Sequence, residues 1–412
     1  MNTNKKLAFS LIFAVFFSFL PVSFASADGG RYFVKSNKGF WKNAFGVRHV
    51  FDNGFSADLS DFQIRLAKVF GVAIEPIAVL QILPEDQDII EPEPNSLETL
   101  VETPAAKARV PKSPNARPVP SDQTPWGLEV IYNDVDLINS SGGAGINVAV
   151  LDTGVNSTHP DLASRIAQCK DFTNPKVSII DGKCDDKNGH GTHVAGIIAA
   201  DGGSDGKGIF GVAPEAKLFV YKVCTNSGSC YADDISVALR LAADQGAHVI
   251  NMSFGSDQES SIIKNAIEYA ASSGVLLVAA AGNDGPFDGS IDYPGANTSV
   301  VAVGAINKFS TVTDWSSRGI NSLTIPWVVE HRDIEFAAPG EHIESTSNSG
   351  GYIVFSGTSM ASPFIAGLAA KYWQMTAIDP LSATRDLLHS LATDLLPLGD
   401  DDESGFGLPR VQ

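Results

Sequence analysis

Basic side chains are scarce in this 412-residue chain, which has 29 Lys and Arg against 47 Asp and Glu and a net charge near −18. The deficit is confined to residues 121–412, where 16 basic side chains face 35 acidic ones, whereas residues 1–120 are nearly neutral. Nucleic acids and anionic membranes are bound through basic protein faces. The composition therefore argues against both kinds of partner.

Long apolar runs are absent after the first 27 residues. At the start of the chain, Lys5 and Lys6 precede an apolar run over residues 7–20, and the small residues of 25–27 form a signal-peptidase pattern. A membrane anchor is the competing interpretation, but the run is short for a membrane span. We expect residues 1–27 to be a cleaved signal peptide, which leaves a secreted protein without a membrane anchor.

Cysteine is also rare, with only four residues. No C-x-x-C spacing or neighbouring histidine supports a zinc site, whereas an oxidising compartment favours disulfides. Four cysteines allow three pairings. The two local pairs, Cys169–Cys184 and Cys224–Cys230, require the least rearrangement of the chain.

The N-terminal part divides into a small folded unit and a linker. Residues 28–83 have strand-like patterns at 31–36 and 74–83 around a helical pattern at 61–70, which predicts a small α+β unit with a marginal core. Residues 84–120 contain eight prolines, which favour extended backbone. The linker is acidic up to residue 102 and then purely basic, and a solvated tether is its simplest interpretation.

Residues 121–412 have the alternating pattern of an α/β domain. Buried-type strands are predicted at 146–151, 217–223, 248–252 and 275–280, with helices at 193–200, 233–245 and 262–272 between them. Near-continuous apolar strands alternating with helices indicate a mostly parallel central sheet covered by helices on both faces. In such sheets the functional residues gather at the carboxyl ends of the strands.

Two motifs place ionisable side chains where a structural role alone would be costly. Asp152 ends a buried strand in the VLDTG segment at 150–154, and a buried carboxylate needs partners. His190 lies between glycines in NGHGTHVAG at 188–196, which lets another backbone approach closely. A helix cap is the alternative role for Asp152. A metal pair formed by His190 and His193 is weakly supported, because no H-E-x-x-H motif is present.

The third motif is SGTSMASP at residues 356–363, directly before a helical pattern at 364–375. Pro363 suits the first turn of a helix, which predicts that Ser359 lies at or near a helix N-terminus. The amides and dipole there favour a developing oxyanion. An ordinary N-cap serine is the competing interpretation.

Together, in the order Asp, His, Ser, the three motifs resemble those of the subtilisin-like serine proteases, the subtilases, over residues 121–412. The resemblance implies a subtilisin-like fold and a serine endopeptidase acting on proteins and peptides as a monomer. It implies that Ser359 is the nucleophile, His190 its general base and Asp152 the residue that orients the imidazole. Asn283, in the segment AAGN, matches the oxyanion-hole asparagine, and His193 becomes a structural residue.

The same resemblance assigns residues 28–83 to a propeptide, which would serve as chaperone and intramolecular inhibitor of a self-processing zymogen. Ser253, Phe254 and Gly255 match the segment whose backbone pairs with an extended substrate. Asp292 falls at the base of the first specificity pocket, and Asp284 at its rim. Two carboxylates there would attract Lys or Arg, although a broad apolar pocket with a solvated Asp292 remains the alternative.

A structural calcium ion is also implied, with no cofactor needed for the reaction. Asp161 lies where the family often has a calcium ligand, and Asp181 and Asp185 crowd the loop before His190. Carboxylates on a loop suit Ca²⁺, although solvated surface acids are the alternative. An insertion at 320–335 contains the apolar segment 325–329, which is either a binding lip or a buried flap.

Other functional classes explain less of the sequence. A catalytically inactive binding domain on the same fold would not need the complete triad together with Asn283. A glycosidase with paired carboxylates would fit the acidity but leaves the histidine and serine motifs unexplained. An α/β-hydrolase esterase requires G-x-S-x-G, and Ala361 occupies its last position.

Overall fold

The computed structural model describes residues 30–82, 116–322, 328–395 and 397–412. The expected signal peptide, most of the linker and residues 323–327 of the insertion lie outside these ranges. The chain divides into two compact units, the first extending to Pro76 and the second running from Ile77 to Gln412. Within the described ranges, no helix has the length and apolarity that a membrane crossing requires.

The first unit is an antiparallel sheet with two helices. Its strands are β1 (Gly30–Val34), β2 (Val50–Phe51), β3 (Gly54–Leu59) and β4 (Ile74–Pro76), and its helices are α1 (Gly39–Phe45) and α2 (Asp61–Val69). The strand order is β2-β3-β1-β4. Ser60 and Gln63 form a capping box that fixes the start of α2. Trp41, Phe45 and Phe55 are central to the small core.

The second unit is built on an eight-stranded sheet. Its strands are β6 (Asn147–Asp152), β7 (Ile166–Asp171), β8 (Ile180–Asp181), β9 (Lys217–Lys222), β11 (Val249–Met252), β13 (Leu276–Ala280), β14 (Val300–Ile306) and β15 (Phe336–Pro339). Their order is β15-β14-β13-β11-β6-β9-β7-β8, and every neighbouring pair is parallel except β7 with β8. The predicted parallel sheet is confirmed.

Helices cover this sheet. They are α3 (Trp126–Tyr132), α4 (His190–Ala199), α5 (Ala232–Asp244), α6 (Ser261–Ser272), α7 (Thr358–Lys371) and α8 (Pro380–Leu391). α4 packs on α7, and α5 packs on α6. Both α4 and α7 are buried along nearly their whole length, because almost every residue in them is apolar or small. The functional motifs therefore begin two of the most deeply packed helices.

Shorter strands lie outside the main sheet. They are β5 (Val79–Ile82), β10 (Ser229–Tyr231), β12 (Phe254–Gly255), β16 (Ile343–Thr346), β17 (Tyr352–Phe355), β18 (Ala392–Thr393) and β19 (Leu408–Pro409). The strand predicted at 74–83 is two strands, because β4 pairs with β1 whereas β5 joins β10 and β12 in a three-stranded sheet. In the sequence, Pro76 precedes β5 and Pro84 follows it.

Both predicted disulfides are present. Cys169 pairs with Cys184, and Cys224 pairs with Cys230. The first closes a loop of 15 residues that leads into His190, which is worth about 3 kcal/mol in the chain-entropy description. The second closes the turn that precedes α5 and carries β10.

A buried ion pair attaches the C-terminal helix to the edge of the sheet. Glu335, just before β15, is fully buried, and its carboxylate lies 2.6 Å from Arg385 Nη2 and 2.8 Å from His389 Nε2. Burial alone would raise the pKa of Glu335, but Arg385 and His389 overcome this effect and hold the pKa at about 2. The pair therefore stabilises the folded chain only while Glu335 is ionised.

We expect Glu335→Gln to lower the free energy of unfolding by about 3–5 kcal/mol, because it leaves Arg385 without its buried partner. The pKa of Glu335 is depressed on folding, so its contribution is complete well above the ordinary value of 4.5 and is lost as the pH falls towards about 2. The measurement is urea unfolding at several pH values in an inactive Ser359→Ala background, which prevents self-digestion. Glu268→Gln, an exposed change on α6, is the control. An equal effect of both substitutions at neutral pH would contradict this account.

Candidate active site

Asp152 and His190 meet at the carboxyl edge of the main sheet. Asp152 ends β6 and His190 begins α4, and both are at most 1% exposed. His190 Nδ1 lies 2.8 Å from Oδ1 and 2.9 Å from Oδ2 of Asp152. Nδ1 therefore carries the proton that it donates to the carboxylate, which makes Nε2 the basic nitrogen of the neutral ring.

A second buried carboxylate, Asp186, holds the turn that delivers His190. Its Oδ1 accepts hydrogen bonds from Thr153 Oγ1 and from the backbone N–H groups of Asn188 and Gly189, at 2.8–3.0 Å. Its Oδ2 accepts the N–H and hydroxyl of Thr192. Asp186 thus links Thr153, which follows Asp152, to the residues just before and just after His190. The sequence signal was the Asp-x-Asn-Gly turn pattern, which resembles an Asx turn.

Lys222, the last residue of β9, is a buried cation next to these carboxylates. Its Nζ donates to the carbonyl oxygen of Thr153 and, at 3.0 Å, to that of Cys224. Burial lowers the pKa of Lys222, although Asp186, Asp171 and Asp152 oppose that shift. No sequence pattern marks this lysine as functional, because it stands at the end of an ordinary apolar strand.

Ser359 lies in the first turn of α7, as predicted, but the helix starts earlier than expected. α7 begins at Thr358, so Pro363 lies inside the helix rather than in its first turn. Proline has no N–H for the carbonyl oxygen four residues earlier, which belongs to Ser359. That oxygen accepts the hydroxyl of Ser253 at 2.9 Å instead, and Ser359 Oγ donates to the carbonyl oxygen of Ser253 at 3.2 Å.

The sheet register explains why these groups share one edge. Leu151 of β6 pairs with Met252 of β11, so Asp152 and Ser253 directly follow paired residues on neighbouring parallel strands. Asp152 binds His190, and Ser253 binds Ser359. Because α4 also packs on α7, the histidine and serine motifs converge at the same end of the sheet.

Asn283 follows β13 at this edge and is oriented by Thr358. Its Oδ1 accepts the backbone N–H of Thr358 at 3.0 Å and the hydroxyl of Thr358 at 2.9 Å. The hydroxyl of Thr358 also lies within 3.2 Å of both the N–H and the carbonyl oxygen of Gly282. The amide is thereby turned so that its Nδ2 donor lies beside Gly357, directly before the first turn of α7.

The segment predicted to pair with substrate is paired with the chain's own β5. Phe254 is opposite Ile82 and Gly255 is opposite Gln81 in antiparallel register. On its other side, β5 pairs with β10, and the N–H of Ile82 donates to the carbonyl oxygen of Gly228 at 2.9 Å. An extended segment of four residues therefore lies between two strands as the middle strand of a sheet.

Asp292 lies against the backbone of two of these segments. A Cβ on Gly255 would be 2.5 Å from Asp292 Oδ2, and a Cβ on Gly282 would be 3.1 Å from the same atom. Only glycine at these positions leaves room for the carboxylate. Asp292 is 3% exposed, and burial, followed by the charges of Asp284 and Asp257, raises its pKa to about 7.

Comparison with known proteins identifies the family. Residues 143–407 match the Subtilase family, Peptidase S8. The chain belongs to the subtilase family. It is 49% identical to "Subtilisin" of Bacillus sp. (strain TA39) over 71% of this chain and 73% of that protein. It is 34% identical to "M-protease" of Shouchella clausii (strain KSM-K16), over 98% and 96% of the two chains.

A solved structure supports the same conclusion. "S41 Psychrophilic Protease" superposes with a TM-score of 0.68 at 50% identity and covers 71% of this chain and 99% of its own. This subtilase is therefore a serine endopeptidase with the subtilisin-like fold. The family model, which matches residues 143–407, covers all three motifs.

Two further features of the sequence analysis are His193 and the insertion at 320–335. His193 is fully buried on α4, burial lowers its pKa to about 3, and its Nε2 lies 3.0 Å from the carbonyl oxygen of Ile343. It is a neutral residue that ties α4 to β16, in agreement with the structural role expected for it. Of the insertion, Val328 is half-exposed, and residues 325–327 lie outside the described ranges.

The three acids predicted to bind calcium in this subtilase are not brought together. Asp161 is 1% exposed, and its Oδ2 accepts the N–H of Ile209 and the hydroxyl of Tyr352, both at 2.9 Å. Asp181 forms an ion pair with Lys170, and Asp185 is exposed. The ligand atoms of the three acids do not lie within 4.8 Å of one another. Asp161 lies on the segment between β6 and β7, whereas Asp181 ends the short strand β8 and Asp185 follows it.

Proposed function

We propose that this subtilase is made as a secreted, self-processing zymogen and hydrolyses peptide bonds with Asp152, His190 and Ser359 as its triad. The observation that carries the proposal is the buried bond between His190 Nδ1 and Asp152, at the sheet edge where Ser359 lies in the first turn of α7. Secretion is supported by the signal-peptide pattern of residues 1–27 and by the two disulfides, which persist in oxidising compartments.

The reaction follows from the roles that these positions allow. Ser359 Oγ attacks the scissile carbonyl carbon while His190 Nε2 takes its proton, and His190 later returns that proton to the leaving amine. Water then hydrolyses the acyl-enzyme by the same two proton transfers. Asp152 keeps the proton on Nδ1 and stabilises the imidazolium. Asp186 and Lys222 hold the loops that carry these groups.

The oxyanion that forms in each step needs donors in place beforehand. The backbone N–H of Ser359 lies in the first turn of α7, where helix geometry provides no acceptor within the helix. Asn283 Nδ2 supplies the second donor, because Thr358 holds the other end of the amide. These donors act where negative charge develops, in a buried site that excludes most water.

The pairing of β5 supports both the substrate mode and the inhibitor role of the N-terminal region. An extended peptide would add to Phe254–Gly255 through backbone hydrogen bonds, with Ser253 at the end nearest the nucleophile. Residues 79–82 occupy that position in the precursor. The C-terminal end of the 28–83 propeptide would therefore block the cleft until it is displaced.

A mechanism-based probe tests the proposed nucleophile. A fluorophosphonate should label the mature enzyme once, and peptide mapping should locate the label at Ser359. Ser253, which is hydrogen-bonded to Ser359, is the internal comparison, because no histidine is assigned to it as a general base. Labelling at Ser253 or at several serines would contradict the assignment.

We also propose that the first specificity pocket prefers Lys or Arg. Asp292 lies at its base beside Gly255 and Gly282, and Asp284 follows Asn283 at the rim. Carboxylates in a partly dehydrated pocket attract a cationic side chain more strongly than carboxylates that are exposed to water do. The acid-free part of the linker, with Lys107, Arg109 and Lys112, then provides self-cleavage targets.

We expect Asp292→Asn to lower the Arg/Phe ratio of kcat/KM by about 10-fold or more, as for the loss of one buried charge partner. Matched peptides that differ only in Arg or Phe before the scissile bond should be assayed at alkaline pH. Asp288→Asn removes an exposed charge a few residues away and is the control. An unchanged ratio in Asp292→Asn would show that this carboxylate does not set specificity.

A structural calcium ion is proposed at Asp161 rather than at the three acids together. Asp161 Oδ1 is buried and has no hydrogen-bond partner among the described residues. Gly203 and Gly208 surround it so closely that a Cβ on Gly208 would lie 2.1 Å from this atom. An unpaired carboxylate oxygen enclosed by a loop fits a hard cation. Calcium there would hold the 201–208 loop, and no step of the reaction passes through it.

We expect excess chelator, or Asp161→Asn, to speed thermal inactivation without abolishing initial turnover. Loss of an ion present at about 100 times its dissociation constant removes about 2.7 kcal/mol of stability. The measurement is the inactivation rate at fixed temperature, with and without added Ca²⁺. Asp181→Asn, which removes an exposed acid, is the control. Inactivation that is insensitive to chelator would remove calcium from the account.

A further inference from the structure

The Cys224–Cys230 disulfide connects the triad side of the substrate cleft to its opposite wall. Cys224 comes two residues after the end of β9, and Cys230 is the middle residue of β10. Both are buried, and they also form a single antiparallel bridge. The residues between them therefore make a short closed loop. One end of this loop follows a strand of the main sheet, and the other end is the wall against which β5 pairs.

Cys224 is fixed to the backbone of the triad aspartate. The N–H groups of Val223 and Cys224 both donate to the carbonyl oxygen of Asp152, at 2.9 and 3.1 Å. Lys222 Nζ donates to the carbonyl oxygen of Cys224 at 3.0 Å. Three consecutive residues thus hold this end of the disulfide beside the pair of Asp152 and His190. The bond therefore starts from a well-supported point next to the reacting groups.

Cys230 lies on a strand at the edge of its sheet. The order of this sheet is β10-β5-β12, so β5 is the one sheet neighbour that the described strands give to β10. The pairing covers Val79–Gln81, and the N–H of Ile82 donates to the carbonyl oxygen of Gly228 at 2.9 Å. When β5 leaves the cleft of the mature enzyme, β10 loses this neighbour. The disulfide is then what ties β10 to the triad side of the cleft.

We propose that the Cys224–Cys230 disulfide sets the selectivity for long over short peptide substrates, because it holds β10 ready to pair with an extended chain. The inference rests on the proposed function, in which β5 occupies the position of a substrate. A wall that is already in place does not have to be ordered when the peptide binds, so less binding free energy is lost. The covalent bond provides this order by restricting the loop that ends in β10.

The strand register shows which part of a substrate depends on β10. Ser253, which binds Ser359, directly precedes Phe254, and Phe254 is opposite Ile82. The positions that pair with β10, 79–81, lie farther from the nucleophile than Ile82 does. A substrate with a single residue before the scissile bond therefore reaches Ser359 without reaching β10. Loss of the disulfide should weaken the binding of long substrates and leave short ones unaffected.

The first experiment replaces both cysteines, which leaves no unpaired thiol, and compares two substrates on the mature Cys224→Ser/Cys230→Ser enzyme. The substrates are p-nitroanilides with the same last residue, one a tetrapeptide and the other a single amino acid. The tetrapeptide/single-residue ratio of kcat/KM should fall about tenfold, as for the loss of one or two backbone hydrogen bonds. The loss should appear mainly in KM of the tetrapeptide, and the single-residue substrate should keep its kcat/KM.

Two further variants separate this role from general stability. Cys169→Ser/Cys184→Ser makes the same chemical change in the loop that leads into His190, so any loss should affect both substrates equally and leave the ratio intact. Thr225→Val keeps the Cys224–Cys230 bond but removes the hydroxyl that accepts the N–H of Ser229 at 3.2 Å. It loosens the same loop, and the ratio should fall about threefold, as for one hydrogen bond.

The outcomes that would overturn the inference are specific. A ratio that stays unchanged in the Cys224→Ser/Cys230→Ser enzyme, or that falls equally in Cys169→Ser/Cys184→Ser, would show that the disulfide only stabilises the fold. If the Cys224→Ser/Cys230→Ser precursor is not secreted as folded enzyme, Thr225→Val decides the question. An unchanged ratio in that variant would then overturn the inference.

A binding measurement tests the wall independently of substrate length. A synthetic peptide of residues 77–82 should inhibit hydrolysis of the single-residue substrate competitively, and its inhibition constant should rise about tenfold in Cys224→Ser/Cys230→Ser, in line with the loss expected for the tetrapeptide. If the fluorophosphonate labels Ser359 but this constant and the substrate ratio are unchanged, the inference is wrong and the proposed function stands. If the label falls elsewhere while the constant still rises, the role of the disulfide stands and the proposed nucleophile is wrong.

Discussion

Replacing Ser359 with alanine is expected to abolish proteolysis and to leave the precursor uncut. The substitution removes the oxygen that forms the acyl-enzyme while leaving the buried pair of Asp152 and His190 in place. In subtilisin, a member of this family, loss of the nucleophile costs about 10⁶-fold in kcat. The measurement is turnover of a peptide substrate together with the molecular mass of the secreted product.

The control for this variant is on the same helix. Ser362 is buried and donates to Asn251 Oδ1, so Ser362→Ala perturbs packing without touching the reacting groups. It should retain turnover and self-cleavage even where its stability falls. If Ser359→Ala still separates residues 28–83 from the enzyme in a protease-free host, self-processing by this site is wrong.

Much of the fold could be predicted because the buried strands contain few polar residues. β6, β11 and β13 are almost continuously apolar, so their positions and parallel arrangement follow from pattern alone, whereas β7, β8, β14 and β15 of the same sheet were not predicted. The positions of the candidate site residues could be predicted because Asp152 ends such a strand, Ser253 directly follows one, and Asn283 comes three residues after another. The carboxyl ends of parallel strands share one edge, which turns distant sequence positions into neighbours.

The errors arose where tertiary contacts override local signals. Pro363 suggested a first turn, but Ser253 supplies the hydrogen bond to the carbonyl oxygen that the proline leaves without one. The pattern at 74–83 predicts one strand, although its two halves pair in different sheets. Local propensity cannot register either effect, because both depend on residues far away in the sequence.

The acidic loop before His190 shows the same limit at the site. Asp181, Asp185 and Asp186 look alike in sequence, yet they are an ion-paired residue, an exposed residue and a buried hydrogen-bond acceptor. Burial distinguishes Asp186 from the other two, and the ion pair with Lys170 distinguishes Asp181 from Asp185. The cluster of acids in the sequence favoured a metal site shared by these residues. In the structure, the carboxylate of Asp186 accepts five hydrogen bonds. The carboxylate oxygen without a hydrogen-bond partner belongs instead to Asp161.

Asn283→Ala is expected to lower kcat by about 10²–10³-fold with little change in KM, the effect known from subtilisin for its oxyanion-hole asparagine. The donor binds charge that exists only in the transition state, so substrate affinity should be nearly unaffected. The measurement is kcat and KM on one peptide, with active sites titrated by the serine probe. A loss that falls entirely on KM would place Asn283 in substrate binding instead.

Thr358 makes this prediction sharper, because it holds Asn283 by its oxygen. Thr358→Val removes the hydroxyl that binds Oδ1 at 2.9 Å but leaves the backbone N–H bond at 3.0 Å. The amide is then less well oriented, and kcat should fall about tenfold, within the usual range of coupling between contacting residues. In the Asn283→Ala background the same change should cost almost nothing, since there is no amide left to orient. Additive losses would mean that Thr358 acts through Gly282 or the start of α7, and that the amide is positioned by other groups.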